Sequence, residues 1–389
     1  MVRVSGEHEA PAHPHVMRVL VEGGRASVRF RIDDTEVFVE GEGVVANGDA
    51  ALALTLLPAM ADHVDLSIGA AVSPALLHNA AMIQDVFGCW RPGWRRVSVE
   101  ARAASTARRA DGGRTGAFFS GGVDSFDCVR AHAGEIDALV YVEGFDVPLA
   151  DESLRSQVRA SLEAAARELS LPLVVLATDL RAWSDRSVPW GFFHGRLRRW
   201  VTAWSSSTPM LIPSTDAYDQ LVPWGAHPLT DPLWSGSTRF VHAGAARNRL
   251  AKVAAIHDFD PAYSALRVCW KNPDGAYNCG RCRKCLTTMS YLAALGALDR
   301  FDCFPATLTA ANILKVEDLD WPIYAEWARD ALSKAGRSDL ALAWAARLAR
   351  HRLSRVAPVR GVRGVRRTLS GARGRRQRAS GGRRPAATR

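Results

Sequence analysis

The chain has 389 residues, 48% hydrophobic and 23% charged, which is enough apolar material for a sizeable core and rules out wholesale disorder. Its formal charge is +10, but the stretch from Arg352 to Arg389 holds thirteen arginines and no acidic residue, so residues 1–351 carry −3 and the charge is no nucleic-acid footprint spread over the fold. No run of about 18 apolar residues is present and the N-terminal MVRVSGEHEA has no apolar signal core, which predicts a cytoplasmic protein with no membrane segment.

Val28, Phe30 and Ile32, then Val37 and Val39, alternate about Asp33-Asp34 and predict a hairpin with one buried face. An apolar helix follows from Asp49 to Met60, then a strand through Val64, Leu66 and Ile68. Ser73-Pro74 has the form of an N-cap with proline at the first helical position, opening a helix toward Trp90. A strand over Arg96 to Ala101 completes a small α+β domain of residues 1–105, with Ala104 to Arg114 as linker. From Thr115 short apolar runs (Gly116 to Phe119, Ala138 to Val142, Leu173 to Ala177, Met210 to Ile212) alternate with helical patterns at 125–133, 151–169 and 190–204. That rhythm predicts βαβ units and an α/β, doubly wound parallel sheet covered on both faces. Residues 286–296 read as a helix, and 322–350 as a helical hairpin broken at Gly336, within a C-terminal extension of 301–351. The tail from 352 to 389 has too few apolar residues to offset its ordering entropy and is expected to be disordered; a weak RNA contact through its arginines is the functional alternative.

The strongest local pattern is Ser120-Gly121-Gly122-Val123-Asp124-Ser125, at the end of an apolar strand and the start of a helix. Two glycines permit a tight turn and close approach to an anion, the N–H groups of a helix start point at it, and Ser120 and Ser125 add hydroxyls. Asp124 cannot itself bind phosphate, so its expected task is to orient the loop or hold Mg²⁺ between phosphate oxygens. The lysine of a GxxxxGK[ST] loop is absent.

This hexad resembles the signature of the PP-loop ATP pyrophosphatases. The resemblance implies a Rossmann-like domain over 115–300, with Ser120, Gly121, Gly122, Val123, Asp124 and Ser125 on the pyrophosphate portion of ATP with Mg²⁺, and Ser120, Asp124 and Ser125 as catalytic residues. It places the end of the second strand, Tyr141 to Phe145, near the adenosine. The implied reaction cleaves ATP to AMP and pyrophosphate and adenylates an oxygen of a small-molecule carboxylate or amide, which a nucleophile then displaces.

Cys269, Cys279, Cys282 and Cys285 stand as C-x9-C-x2-C-x2-C, in which a tight turn at Gly280 presents several thiolates to one ion. Four thiolates make a closed site and favour structural Zn²⁺ over an iron–sulfur cluster or a redox dithiol; Cys303 is a possible replacement ligand, and Cys89 and Cys128 read as small core residues. A PP-loop followed by such a cluster is closest in pattern to the 7-cyano-7-deazaguanine synthase branch. That likeness implies a ligase forming a C–N bond, with ammonia supplied free or by a partner. The N-terminal domain and the C-terminal hairpin are additions to that pattern.

The segment from Pro213 to Phe240 begins where parallel sheets place ligands and is crowded with aromatic and polar residues. Two readings stand. Trp224, His227, Asp231 and Trp234 line a substrate pocket, or the segment is a rigid proline-rich lid packed on the core. Arg247, Arg249 and Lys252 follow, one of them a candidate to neutralise phosphate or substrate charge against the default of solvated surface charge, and His194 lies in the aromatic helix 190–204, where a lone histidine is more often a satisfied core residue. The rival functions are a tRNA-modifying enzyme of the same superfamily anchored by the arginine tail, and a non-catalytic nucleotide-binding protein.

Overall fold

The structure is a computed structural model and describes residues 16–23, 26–105, 114–189, 191–192, 209–305, 307–317 and 319–356. The helix expected over 190–204, with His194, the centre of the 104–114 linker and the tail after 356 lie outside the described residues.

Alternation of apolar and polar residues builds the first three strands. Val16–Gly23 (β1), Ser27–Ile32 (β2) and Thr35–Gly41 (β3) form an antiparallel meander. The β2–β3 turn is made at Asp33 with φ +49°, and the Asp33 carboxylate accepts from the Arg18 N–H at 2.9 Å. β1 escaped the sequence reading. Gly48–Asp62 (α1) follows; its N-cap Asn47 accepts from the Ala50 N–H at 2.8 Å. Every residue from Ala50 to Met60 is buried, as expected of a helix that is apolar on all sides. Asp65–Val72 (β4), Pro74–Trp90 (α2) and Val99–Ala103 (β5) complete this half, with β4 parallel to both β1 and β5. Ser73 does not cap α2 as its position suggests. Its hydroxyl and N–H both donate to Asp49 at 2.6 Å, tying the start of α2 to the start of α1.

The second half alternates strands and helices: Gly116–Phe118 (β6), Val123–Ala131 (α3), Ala138–Glu143 (β7), Glu152–Glu168 (α4), Leu173–Thr178 (β8), Leu180–Ser184 (α5), Pro209–Pro213 (β9), Arg239–Ala243 (β10), Arg249–Ile256 (α6) and Pro261–Ala265 (α7). β10 also escaped the sequence reading, because RFVHA mixes charge and imidazole into a strand that lies beside β9 alone. Arg283–Ala294 (α8), Ala310–Lys315 (α9), Pro322–Lys334 (α10) and Ser338–Val356 (α11) close the described chain. No helix among the described residues is long and apolar enough to cross a membrane.

All ten strands among the described residues join one sheet, mostly parallel, in the order β10-β9-β6-β7-β8-β3-β2-β1-β4-β5. The boundary expected near residue 105 is crossed by this sheet: β3 runs antiparallel to β8, and Phe38 exchanges hydrogen bonds with Thr178 and Asp179. The core is continuous across it as well. Phe118, Val140, Val142, Met210, Ile212 and Phe240 belong to the same buried cluster as α1 and β1–β4. The residues between them in sequence, Ala117, Phe119, Leu139, Tyr141 and Leu211, face the opposite cluster formed with α3, α4, α6, α8, α10 and α11. Strands buried on both faces read as unbroken apolar runs, which is how β6 and β7 read.

Leu54 of α1 is fully buried between sheet and helix partners. Leu54→Ala is expected to cost about 2–5 kcal/mol, read as a lowered urea midpoint with an unchanged slope.

Candidate functional site

The hexad sits where the strand order reverses. From β6 the chain steps through β7 to β8 on one side, then returns to β9 and β10 on the other, which opens a crevice at the carboxyl ends of β6 and β9. The loop after β6 turns at Gly121 with φ +71°; a Cβ there would lie 2.9 Å from the Ala265 carbonyl oxygen and 2.8 Å from Leu162. Only glycine fits so close an approach. The Gly121 carbonyl accepts from the Arg267 N–H at 2.8 Å, which anchors the loop to the segment leading to the cysteines. Gly122 is the N-cap of α3, and no side chain caps that helix, so its first-turn N–H groups face the crevice end without a capping acceptor. Ser120 is partly exposed at the loop. Val123 is buried in the core and offers only its backbone. Ser125 is buried and its hydroxyl donates to the Gly122 carbonyl at 2.9 Å, bracing the turn rather than pointing outward.

Asp124 projects from the first turn of α3 into a ring of charge. Arg249 Nη2 lies 2.9 Å from one carboxylate oxygen and Lys252 Nζ 3.3 Å from the other. Both cations come from α6, whose N-cap Asn248 accepts from the Ala251 N–H at 3.0 Å. Lys252 is fully buried, and its ammonium also donates to the Ser214 carbonyl at the end of β9. A second carboxylate, Asp216, follows that strand. Burial pushes it up from the usual carboxylate range and neighbouring Asp124 pushes the same way, against Arg249 and Lys252. Tyr324 of α10 donates its hydroxyl to Asp216 at 3.5 Å. Lys284, from the first turn of α8, is open to solvent yet crowded by protein; desolvation and nearby Arg249 lower its pKa. The crevice therefore gathers more positive than negative side chains and suits a multivalent anion with a divalent cation. Asp216, Lys284 and Tyr324 were missed by the sequence reading because they sit on separate elements with no motif among them. The third cation of that stretch, Arg247, pairs with the buried Asp127 at 2.9 Å, beside a polar depression of about 300 Å³ one turn along α3.

Next to Lys252 lies a buried Ser214–His242–Asp231 chain, with His242 Nε2 2.8 Å from Ser214 Oγ and His242 Nδ1 2.7 Å from Asp231. It has the outline of a hydrolytic triad. Ser214 is 1% exposed, and its hydroxyl donates to the Asp216 carbonyl at 2.6 Å. A hydroxyl so engaged is no nucleophile. The chain instead fixes the turn that carries Asp216 and the carbonyl that receives Lys252.

In the segment 213–240, Asp231 and Trp234 are buried, while Trp224 and His227 are partly exposed. Asp231 is fully buried, holds His242 and also accepts from the His227 N–H at 3.1 Å. Trp234 is 2% exposed within the core. His227 packs its ring on Trp90 of α2 at 4.9 Å, where burial lowers its pKa. Trp224 lies against Phe192 and Gly191. Of the five candidate substrate residues, only Lys252 reaches Asp124. The end of β7, expected beside a nucleoside, is filled by Glu143, which is buried and clamped by Arg155 and Arg159 of α4 at 2.6 and 2.8 Å.

Cys269, Cys279, Cys282 and Cys285 bring their sulfurs within 4.8 Å of one another. A tetrahedral Zn²⁺ with Zn–S of about 2.3 Å sets sulfurs about 3.8 Å apart, and Cys279 Sγ lies 3.9 Å from Cys285 Sγ. Gly280 turns with φ +63°, and Cys282 is the N-cap of α8. Buried Asn278, unnoticed in the sequence, ties the loop together: it accepts from the Val268 and Cys269 N–H groups and donates to the Leu266 and Cys303 carbonyls. Hydrogen bonds from Cys282 and Cys285 hold the Cys269 thiol low, whereas contacts with Cys269, Cys279 and Cys282 push Cys285 up. Cys303 is not one of the four. Cys128 is a core residue, its thiol pushed up to about 12 by burial, whereas Cys89 is exposed, contrary to the core expectation.

No family model, no curated protein and no solved structure matches the chain.

One metal ion per chain is expected by elemental analysis, and Cys285→Ser should lose it together with much of the thermal stability, since structural metal binding is folding free energy. Asp216→Asn should raise the melting temperature of the ligand-free protein by roughly 1–3 °C at pH 8. Because the Asp216 carboxyl is raised in the folded state, wild type loses stability as pH rises through that pKa. The advantage of the asparagine must therefore shrink as pH falls and the carboxyl takes up its proton; an advantage that persists at low pH would contradict the charge argument.

Proposed function

We propose that this chain is a PP-loop ATP pyrophosphatase with a Rossmann-like nucleotide domain, which adenylates an oxygen of a small-molecule carboxylate or amide and passes it to a nitrogen nucleophile. The observation that carries the reading is the hexad's position: a glycine turn and an uncapped helix start at the reversal of a parallel sheet, with Asp124 ringed by Arg249 and Lys252. The cysteine set that follows supports the 7-cyano-7-deazaguanine synthase pattern within that class, with structural Zn²⁺ on Cys269, Cys279, Cys282 and Cys285.

In this reading the first-turn N–H groups of α3 and the Ser120 hydroxyl receive the pyrophosphate portion of ATP. The acceptor oxygen forms a bond to the α-phosphorus as the bond from that phosphorus to the bridging oxygen breaks, and pyrophosphate leaves with the electron pair. Arg249 and Lys252 offset the charge that builds on the leaving group, and their positions are fixed in advance by Asp124 and the Ser214 carbonyl. Asp124 and Asp216 would hold Mg²⁺, which screens the phosphate oxygens when bound. The segment 213–240 and Glu143 with its two arginines leave the substrate-facing surface to the ends of β6 and β9 and the starts of α6, α8 and α10. Displacement of AMP by ammonia or another nitrogen nucleophile completes the reaction, with a proton lost from nitrogen.

Asp124→Asn should lower AMP formation from α-labelled ATP by about 10²–10⁴-fold without altering the circular dichroism spectrum. The assay pairs the protein with a small-molecule extract and ammonium. Undiminished AMP from the variant, or ADP as the product, would overturn the assignment, and tight ATP binding without AMP under any extract would identify a nucleotide-binding protein without this chemistry.

A further inference from the structure

Arg283 is the first residue of α8, between Cys282 and Cys285. Its guanidinium carbon stands 5.5 Å from the ring centroid of Tyr324, the residue whose hydroxyl reaches Asp216. Its Nε is buried and has no hydrogen-bond partner. Arg249 and Lys252 meet Asp124, whereas no carboxylate among the described residues pairs with Arg283. Arg283 is half-buried, and its buried Nε, next to an aromatic face and without an acceptor, lacks a hydrogen bond whose absence costs free energy. Its place compounds the deficit, because the N-terminal turn of a helix carries partial positive charge and disfavours a cation. An oxyanion in the crevice answers both, since it would receive the fork of Arg283 and face the start of α8.

We propose that Arg283, seated on Tyr324 and positioned by the cysteine loop, is a phosphate-binding residue that takes the terminal, leaving part of the ATP phosphate chain from the side opposite the glycine loop. The inference rests on the ATP reading of the crevice and adds to it a role for the C-terminal helices. Tyr324 comes from α10, and Tyr291 of α8 donates its hydroxyl to the Tyr324 carbonyl at 2.7 Å, so the two helices bring ring and guanidinium together. Arginine suits the task better than lysine because its planar fork can stack on the ring and still present two parallel donors.

The test is calorimetric titration of the full-length, metal-loaded protein with magnesium pyrophosphate and with ATP, using wild type, Arg283→Gln, Arg283→Lys, Tyr324→Leu and Asp124→Asn. Arg283→Gln should weaken pyrophosphate binding about tenfold or more, Arg283→Lys should lose part of that, and Tyr324→Leu should fall between wild type and Arg283→Gln. Metal content and melting curves are read on the same samples. A folded Arg283→Gln protein that binds pyrophosphate as wild type does would overturn the proposal while Asp124→Asn still upheld the ATP reading. Loss of metal from Arg283→Gln with pyrophosphate affinity retained would also overturn it, by showing that the arginine serves the charge of the cysteine site. Failure of wild type to bind either pyrophosphate or ATP would remove the ATP reading and this inference together.

Discussion

The helix α1 is apolar on every side, and a helix of that kind can exist only inside a core. Much of the architecture follows from that demand. β4 and β1 cover it from one side, and the cluster it joins extends along the sheet to Phe118, Val140, Met210 and Phe240 on the strands that bear the crevice. One face of the parallel half is thus part of a core built largely by the first hundred residues. Asp49 at the start of α1 also receives the Ser237 N–H at 2.7 Å, so the same helix helps hold the segment 213–240. Residues that look like a separate domain are therefore part of the wall behind the crevice.

The crevice is organised by a different constraint, the cost of gathering charge away from water. Asp124 and Asp216 repel one another, Lys252 is fully buried, and Arg249 attracts both acids and repels Lys284. Each is tolerated because a neighbour compensates it: Asp124 for Arg249 and Lys252, the Ser214 carbonyl for Lys252, Tyr324 for Asp216. Such sites are expensive to fold and preorganised to act on charge. The polar chain Asp231–His242–Ser214 belongs to this scheme. Its geometry resembles a nucleophile with its base, but the serine is buried and its hydroxyl donates to a backbone carbonyl, so the chain braces the turn.

The cysteine loop performs two tasks with one set of residues. Its thiols converge to metal-ligand spacing, and its last turn becomes the start of α8, which sets Arg283 over the Tyr324 ring and Lys284 within the field of Arg249 and Asp124. Asn278 makes the loop rigid by satisfying four backbone groups from one side chain. Order in this loop is thereby transmitted to the charges that face Asp124.

The elements whose signal is local were legible in the chain itself. The β2–β3 hairpin, α1, α2, β6, β7, α4 and the cysteine set all follow from period, caps or spacing that a short window contains, as does the glycine turn before Asp124. β1 and β10 were not legible, because short strands that mix polar with apolar residues acquire their meaning only from the neighbour they pair with. The same holds for the site. Asp216, Lys284, Arg283 and Tyr324 come from three different elements, and packing brought Tyr324 to Asp216 and to Arg283, and Lys284 near Arg249. That packing also turned Asp231 and Trp234 inward. Sequence determined which short segments fold and which could hold an anion or a metal, since those are properties of adjacent residues. Tertiary structure decided which distant charges share one crevice, since Coulomb interactions and hydrogen bonds act through space and have no fixed separation along the chain.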